Sequence, residues 1–374
     1  MPLSSVLPPA ALAPAKVLSA PQFTVNSEAL PTEITANLPT PTIIDGSEHF
    51  NTVLYSGNGS SQTVTGFGFN PDVVWHKGRS VAYSHSLVDV LRGNSNVLFS
   101  NLTAAEQNPG AQLDLATDGA TVTYRAANLA NNQSSATYVI WGWKAGGTAV
   151  SNTAGSITSQ VSANTDAGFS IVSWVHSSTT STIGHGLTTA PNLIILKSRT
   201  TAYNWDVGSD DIGWGNRINL NSTAAAYSPA FWNSTAPTSS VFTYAGSGAT
   251  NGDNMIAYCF ANTDTTKAGS YVANQSTNGT FIYLGFRPAF FLAKNISRSQ
   301  EWIMMNNKTT DPYNPQDGSI QPNSSAAEGT GNEVDFLSNG VKLRNSGGGL
   351  NYASGDTFIY LAFAENPFKY ANAR

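Results

Sequence analysis

Short runs of β-branched and aromatic residues alternate with clusters of Gly, Ser, Thr and Asn along most of the chain. This pattern predicts short strands joined by tight turns. Long stretches with apolar residues at a helical period are absent, so the sequence predicts an all-β protein. Three stretches are typical of β-hairpins that end at a Gly: FNTVLYSGNGSSQTVTGFGF (50–69), FSIVSWVHSSTTSTIGHGL (169–187) and GSYVANQSTNGTFIYLGF (269–286).

One phrase with a Gly, a Pro, a mostly apolar run and a Lys occurs three times, and in each copy the Lys follows the Pro by six residues. Proline suits the start of a strand, where its missing N–H costs no ladder bond. The copies are GFNPDVVWHK (68–77), GLTTAPNLIILK (186–197) and GFRPAFFLAK (285–294), and their prolines are Pro71, Pro191 and Pro288.

A second phrase follows each copy at a matched distance. Its Asn lies 24 residues after the Lys in the first two copies and 29 after it in the third, where an insertion near DPYNPQDG explains the difference. The copies are FSNLTAAEQ (99–107), NLNSTAAAY (219–227) and QPNSSAAEG (321–329), anchored on Asn101, Asn221 and Asn323.

This second phrase has two interpretations. It could be an N-glycosylation acceptor, or a tight turn in which the Asn or Ser/Thr side chain caps backbone N–H groups. The matched position beside paired alanines favours the turn, and the alanine-rich parts could each form one helical turn. Glu106 and Glu328 have no counterpart at Ala226, so a shared catalytic carboxylate is not expected.

A third phrase closes each copy with bulky residues on both faces, which predicts a strand that is covered on both sides or packed at a domain interface. The copies are TYVIWGW (137–143), NMIAYCF (254–260) and TFIYLAF (357–363). Three phrases in one order indicate three tandem homologous β-sandwich units of about 100 residues each. The predicted units are residues 46–150, 151–266 and 267–374. Trp143, Phe260 and Phe363 are expected to be buried at matching positions.

Residues 1–45 form a predicted extended arm. Eight prolines make this segment unsuited to a helix or a central strand. The same prolines and the lack of a preceding basic residue argue against a signal peptide. The arm could be a plain linker, or its scattered apolar residues could anchor it to a neighbouring subunit, as an added strand or in a groove.

Composition narrows the functional class. Charged residues make up only 11% of the chain, less than half of the usual share of about 25%. Ser, Thr, Asn and Gly must therefore cover the surface, which is common in extracellular and virion β-proteins. The net charge is −5 without a basic cluster, which argues against nucleic-acid binding. No apolar run approaches the length of a membrane span.

The search for chemistry yields no catalytic residue, metal ligand or cofactor site. The five histidines lack metal-ligand spacing. The adjacent pair Asp210 and Asp211 is expected to point apart rather than to act together, as a glycosidase would require. Cys259 lies in an apolar run and is expected to be a buried structural thiol. The sequence therefore predicts a protein that is not an enzyme.

Three tryptophans of the second unit, Trp205, Trp214 and Trp232, stand among polar residues. Exposed aromatic rings in such surroundings are typical of sugar-stacking sites, so these residues are the candidate glycan contacts. The alternative is that Trp205 belongs to the core, because Trp302 holds a comparable place in the third unit.

From about residue 50 to 368 the chain resembles a domain family of unknown function found in tailed, often marine, bacteriophages. The resemblance is carried by GFRPAFFLAK, PNSSAAE, DFLSNGVKL (335–343) and IYLAFAENPF (359–368). Val341 replaces the usual aromatic residue and Ala226 replaces the usual Glu. The resemblance implies a virion structural protein, often of tail fibres or other appendages, and it supplies no catalytic residues.

The leading hypothesis is a tail fibre or tail appendage subunit on the virion surface, which contributes to host attachment. Its expected partners are other virion proteins through the arm, a host surface glycan and further copies of itself, with a trimer favoured by analogy to fibres. One alternative is a capsid decoration or head spike protein. An alternative of another class is a carbohydrate-binding module or glycan-processing enzyme.

Overall fold

The computed structural model describes residues 45–365 except 111, 125–130, 178, 229–230, 247–248 and 310–312. The predicted arm, apart from Asp45, lies outside the described residues. The described residues belong to one compact unit. Within its described part every regular element is a strand, apart from a single 3₁₀ turn at Gly46–Glu48, so the all-β prediction is confirmed.

The strands fall into three successive sets. The first set is β1 (Phe50–Ser56), β2 (Ser61–Thr65), β3 (Val73–Gly78), β4 (Ser86–Asp89), β5 (Leu113–Ala116), β6 (Gly119–Thr123) and β7 (Thr137–Trp143). The second set is β8 (Val150–Asn152), β9 (Ser159–Asn164), β10 (Phe169–Val175), β11 (Ser181–Gly184), β12 (Leu193–Ser198), β13 (Asp206–Ser209), β14 (Ile218–Asn219), β15 (Val241–Tyr244) and β16 (Asn254–Phe260). The third set is β17 (Thr266–Val272), β18 (Phe281–Tyr283), β19 (Pro288–Asn295), β20 (Trp302–Asn306), β21 (Val334–Leu337), β22 (Gly340–Leu343) and β23 (Thr357–Ala364).

Each set contributes one large antiparallel sheet, here called inner sheets 1, 2 and 3. Their strand orders are β1-β7-β3-β4, β14-β13-β12-β16-β10-β9-β8 and β17-β23-β19-β20. The first and third orders recur inside the second as β10-β16-β12-β13. In inner sheet 2 alone, β9 and β8 extend the edge beyond β10.

The registers of the closing strands also match. Each closing strand places its aromatic residue opposite an apolar residue of the next strand: Trp143 opposite Val73, Phe260 opposite Leu193 and Phe363 opposite Phe290. Pro71, Pro191 and Pro288 are all buried and each precedes this apolar partner by two residues. The three prolines therefore occupy the same position relative to their sheets.

Each inner sheet is covered on one face by a smaller outer sheet of its own set. Outer sheets 1, 2 and 3 have the orders β2-β6-β5, β11-β15 and β18-β22-β21. Each pair of sheets encloses a separate apolar cluster, for example Val64, Val74, Val122 and Ile140 in the first set. The arrangement is that of a β-sandwich, in which alternate side chains of a strand face opposite layers.

The other faces of the three inner sheets meet in one central core. Along β7, Val139, Trp141 and Trp143 face this core, whereas Ile140 faces outer sheet 1. The closing strands are apolar on both faces because both faces are covered, as the sequence predicted. A small cavity of about 30 Å³ remains at the centre, and its wall includes Trp143, Phe260 and Phe290, one from each inner sheet.

Candidate functional site: the junctions between the inner sheets

The repeated Asn segments lie where one set of strands meets the next. They are called junction segments 1, 2 and 3 here and comprise residues 99–106, 219–226 and 321–328. Each begins with a tight turn closed by a backbone hydrogen bond, from the N–H of residues 102, 222 and 324 to the carbonyl oxygens of residues 99, 219 and 321. The alanines that follow form no helical turn, so that expectation was wrong. After the alanines, the N–H groups of Glu106, Ala226 and Glu328 bond to a neighbouring set of strands.

The Asn side chain fixes the entry to each junction segment. The Oδ1 atoms of Asn101, Asn221 and Asn323 accept the backbone N–H of residues 85, 205 and 302 at 3.1, 2.8 and 3.1 Å. Each bond ties the segment to the strand that precedes it in its own set. The side chain thus caps a backbone N–H group, the turn-building role that the sequence favoured over glycosylation.

An indole N–H crosses two of the junctions. Trp205 Nε1 donates to the carbonyl oxygen of Phe99 in junction segment 1, and Trp302 Nε1 donates to that of Asn219 in junction segment 2, both at 2.9 Å. Each acceptor lies two residues before the capping Asn of its segment. Inner sheet 2 is therefore fastened to the first set, and inner sheet 3 to the second.

His85 makes the equivalent contact at the remaining junction. Its Nε2 lies 3.0 Å from the carbonyl oxygen of Gln321 in junction segment 3, and its Nδ1 lies 2.8 Å from Trp75 Nε1. An indole nitrogen can only donate, so Nδ1 accepts and Nε2 carries the proton toward Gln321. Burial lowers the pKa of His85 well below its usual value. The contact joins inner sheet 1 to the third set, which closes the cycle.

Acid should weaken this third junction. His85 stays neutral in the folded protein, while the unfolded chain binds its proton near pH 6.5, so stability is lost as pH falls below 6.5. One such group changes the free energy of unfolding by at most about 1.4 kcal/mol per pH unit. The double variant Trp75→Ile/His85→Trp removes this histidine. It gives inner sheet 1 the residues that inner sheet 2 has at the equivalent positions, Ile195 and Trp205.

We expect urea unfolding at pH 7 and pH 5 to show a smaller acid loss for this variant than for the natural protein. An equal loss in both proteins would contradict the assignment, because His76, His176 and His185, whose pKa values burial also lowers, are unchanged in the variant.

A buried lysine bonds to the neighbouring junction segment at all three junctions. Lys77, Lys197 and Lys294 have no exposed surface. Their Nζ atoms donate to the carbonyl oxygens of residues 325, 103 and 223 at 3.3, 3.2 and 3.1 Å. Each Nζ also donates to the carbonyl oxygen of the residue that directly follows the Lys in sequence. Burial lowers the pKa of each lysine to about 8. The Lys of the repeated phrase thus satisfies backbone carbonyl groups between two sets.

Two junctions also carry an ion pair. Arg199 Nη2 lies 2.8 Å from Glu106 Oε1, and the Glu106 N–H donates to the Arg199 carbonyl oxygen at 2.8 Å. Arg79 and Glu328 repeat both contacts, with Nε 2.6 Å from Oε2 and the same backbone bond. The glutamates therefore hold arginines across these two junctions.

The remaining junction keeps the backbone bond without the charges. The N–H of Ala226 donates to the carbonyl oxygen of Ile296 at 3.1 Å, and both side chains pack against the central core. Ile296 holds the position two residues after the buried Lys, as Arg79 and Arg199 do. The missing Glu at Ala226 is thus matched by a missing Arg at Ile296.

This pairing predicts a specific coupling. Ala226→Glu alone should destabilise the protein by about 1–3 kcal/mol, because it places a carboxylate in the junction without its partner. Adding Ile296→Arg should recover part of that loss, since directly contacting groups couple by about 0.5–3 kcal/mol. Denaturant unfolding of both single variants and the double variant gives the coupling energy, and strictly additive effects would refute the match.

The candidate glycan contacts lie in the interior. Trp205, Trp214 and Trp232 are only 0, 6 and 0% exposed. Trp214 and Trp232 pack edge to face at 5.4 Å between ring centres, whereas Trp205 faces the central core. Sugar stacking needs an open ring face, which none of the three offers. Their polar neighbours had suggested exposure, but the three rings pack among apolar side chains of the core clusters.

The two carboxylates have structural partners, and the thiol is buried. Asp210 accepts the Trp214 indole N–H at 2.8 Å, and Asp211 accepts the Ser270 hydroxyl at 2.6 Å, so this pair does point apart. Cys259 is fully buried, and burial raises the pKa of its thiol.

Within the described residues no three His, Cys, Asp or Glu side chains are grouped as metal ligands. No helix in that part of the chain is long and apolar enough to cross a membrane.

The family model for DUF7483, a domain of unknown function, matches residues 45–367. The chain belongs to this family. The match covers all three sets of strands, so the DUF7483 domain includes all three inner sheets and the junctions between them. No curated protein matches the chain.

Proposed function

We propose that this DUF7483 protein is a structural protein of a bacteriophage particle, a tail fibre or tail appendage subunit that contributes to host attachment. The observation that carries the proposal is the closed cycle of junctions. Each set of strands is fastened to the next by a ring N–H, a buried Lys and a backbone bond, and an Asn cap holds each junction segment on its own set. Such a body resists local opening, which suits a protein exposed on a particle surface.

We further propose that the three sets are copies of one β-sandwich unit, residues 46–150, 151–266 and 267–374. The matched strand orders, the matched registers and the contacts at equivalent junction positions support this interpretation. The paired change at Ala226 and Ile296 supports it most strongly, because two residues that differ together are expected where one ancestral contact was replaced. In the folded chain the copies share one central core instead of forming three separate domains.

The arm, residues 1–45, is proposed to attach the protein to other virion proteins, and the body to form a homo-oligomer, with a trimer favoured. Its support is the sequence, in which apolar residues such as Phe23, Ile34 and Ile43 recur among prolines. We also propose that the protein is not an enzyme. The charged groups at the junctions already have partners in the fold, which supports a structural use for them.

Gradient-purified particles test the proposal. We expect mass spectrometry to detect the full-length chain in the particles, and a variant without residues 1–45 to fold but to be absent from them. The presence of the truncated protein at the normal level would reject the role of the arm. Absence of the full-length chain would reject the particle function. A capsid decoration or head spike is the alternative, since the same rigid body would serve there.

A further inference from the structure

The edge strand β18 of outer sheet 3 carries two large exposed aromatic side chains. β18 pairs with β22 on one side, and no other described strand pairs with its second side. Phe281 and Tyr283 are 41 and 69% exposed, while Ile282 between them is buried in the apolar cluster beneath the sheet. An open strand edge with apolar side chains is a template for pairing with another chain.

The backbone of β18 is also free along this edge. In an antiparallel pair, alternate residues bond to the partner strand, and the residues between them point their N–H and C=O groups away from it. The N–H of Leu343 donates to the carbonyl oxygen of Thr280 at 3.1 Å, and the N–H of Leu284 donates to that of Asn339 at 2.9 Å. These bonds flank β18 and fix the alternation, so the N–H and C=O groups of the two aromatic residues face the open side.

The fold does not require aromatic residues on this edge. Val64 is the buried residue of the equivalent edge strand, β2 of outer sheet 1. Its neighbours Thr63 and Thr65 have the places of Phe281 and Tyr283, and in both sheets a Gly stands opposite the second of these positions. The same backbone thus accepts small polar side chains where outer sheet 3 carries two rings.

The edge of β18 is uncharged. Residues 271–286, which contain β18 and the turns at both of its ends, include no Asp, Glu, Lys, Arg, His or Pro. Charged residues and Pro are common protections of a strand edge against pairing. A contact between two identical edges brings like groups together, so a charge on the edge would repel its own copy. The missing charges therefore favour a second copy of this chain as the partner.

The edge is also complementary to itself in register. When two copies of β18 pair antiparallel about Ile282, Phe281 of each copy lies opposite Tyr283 of the other. The N–H and C=O groups that face the open side then bond to each other across the contact. The rings lie on one face of the joined sheet, where aromatic cross-strand pairs stabilise antiparallel strands. Both copies contribute the same residues, as a twofold interface requires.

We propose that two copies of this protein associate through their β18 edges and join their outer sheets 3 into one continuous antiparallel sheet. The contact spans the three residues of β18 and falls short of the about 1,200–2,000 Å² of a stable interface. The pair should therefore dissociate at concentrations on the order of micromolar or higher.

A particle that holds many copies close together would strengthen this weak contact, because the effective concentration is high there. The proposal names one contact of the proposed homo-oligomer and rests on the particle role for its biological meaning. Because the contact is twofold, it links bodies in pairs and is separate from the trimer favoured above.

Sedimentation velocity of the purified full-length protein measures the association. From about 1 µM to about 300 µM, a range in which weak interfaces dissociate, we expect the average sedimentation coefficient to rise from that of the smallest species toward that of twice its mass. Phe281→Thr/Tyr283→Thr, which copies the residues of outer sheet 1, should weaken the association by about tenfold or more. Tyr124→Thr removes an exposed ring of the first set and should leave it unchanged.

Amide hydrogen exchange at low and high protein concentration locates the contact. The N–H groups of Phe281 and Tyr283 should exchange more slowly at high concentration, because hydrogen-bonded amides are protected. The N–H groups of Thr63 and Thr65, on the equivalent edge, should exchange at the same rate at both concentrations. Melting curves of the variants check that the fold is intact.

No dependence of sedimentation on concentration, unchanged association in the Thr variant, or protection that omits β18 would overturn the proposal. These outcomes concern the purified protein only. A protein found in particles whose β18 edges do not pair would remove the edge proposal and leave the particle role in place.

Discussion

Phe363→Ala should destabilise the protein by about 3–5 kcal/mol, the usual cost of removing a buried aromatic side chain. Phe363 is 3% exposed. Its ring lies 4.9 Å from that of Phe50, 5.8 Å from that of Phe260 and 5.7 Å from that of Phe290, measured between ring centres. These rings come from all three inner sheets, so the truncation leaves a cavity where the sheets meet.

Differential scanning calorimetry measures this effect and also tests the shared core. Because the three inner sheets pack on one another, we expect a single cooperative transition that moves to lower temperature in Phe363→Ala. Tyr352→Ala is the control, since its exposed ring supports no core. An unchanged midpoint, or a loss confined to one of several separate transitions, would mean that the three sets fold independently.

Lys197→Ala should have the second large effect, a loss of about 3 kcal/mol. The Lys197 Nζ donates to the carbonyl oxygens of Thr103, Ser198 and Thr201 at 3.2, 2.8 and 3.4 Å. Its removal leaves buried acceptors unpaired, at about 1–3 kcal/mol for such a group, and empties the space of the stem. The gain from no longer burying a charge offsets part of this cost.

Urea unfolding of Lys197→Ala and Lys197→Met separates these contributions, because Met fills most of the stem volume without donating a hydrogen bond. We expect Ala to be the more damaging change and Met to be intermediate. Lys267→Ala, at a partly exposed lysine of β17, should change stability by no more than about 0.5 kcal/mol. A Lys197→Ala protein as stable as the control would show that the buried amine does not hold the junction.

The strands were predictable because alternation and turn residues act over a few positions. The closing phrases illustrate this: TFIYLAF is apolar on both faces, and β23 is buried on both faces. The spacing of Pro71, Pro191 and Pro288 likewise gave their common position. The prediction of a helical turn at the alanines of the junction segments was wrong. Local propensity for such a turn is weak, and hydrogen bonds to a neighbouring set of strands outweighed it.

The junction partners were not predictable from local patterns. Arg79 and Glu328 are 249 residues apart, and nothing in a single sequence says which copies meet. One signal was present, however. The second copy lacks the Glu, at Ala226, and the third copy lacks the Arg, at Ile296. These two exceptions match only if each junction phrase meets the Lys of the following copy.

Immunogold labelling of intact purified particles tests the central claim most directly. An antibody against the DUF7483 domain should place gold at the tail or its appendages, where a subunit for host attachment must be. Gold confined to the capsid would contradict the tail assignment in favour of a decoration or spike protein, and particles without gold would contradict a structural role in the virion altogether.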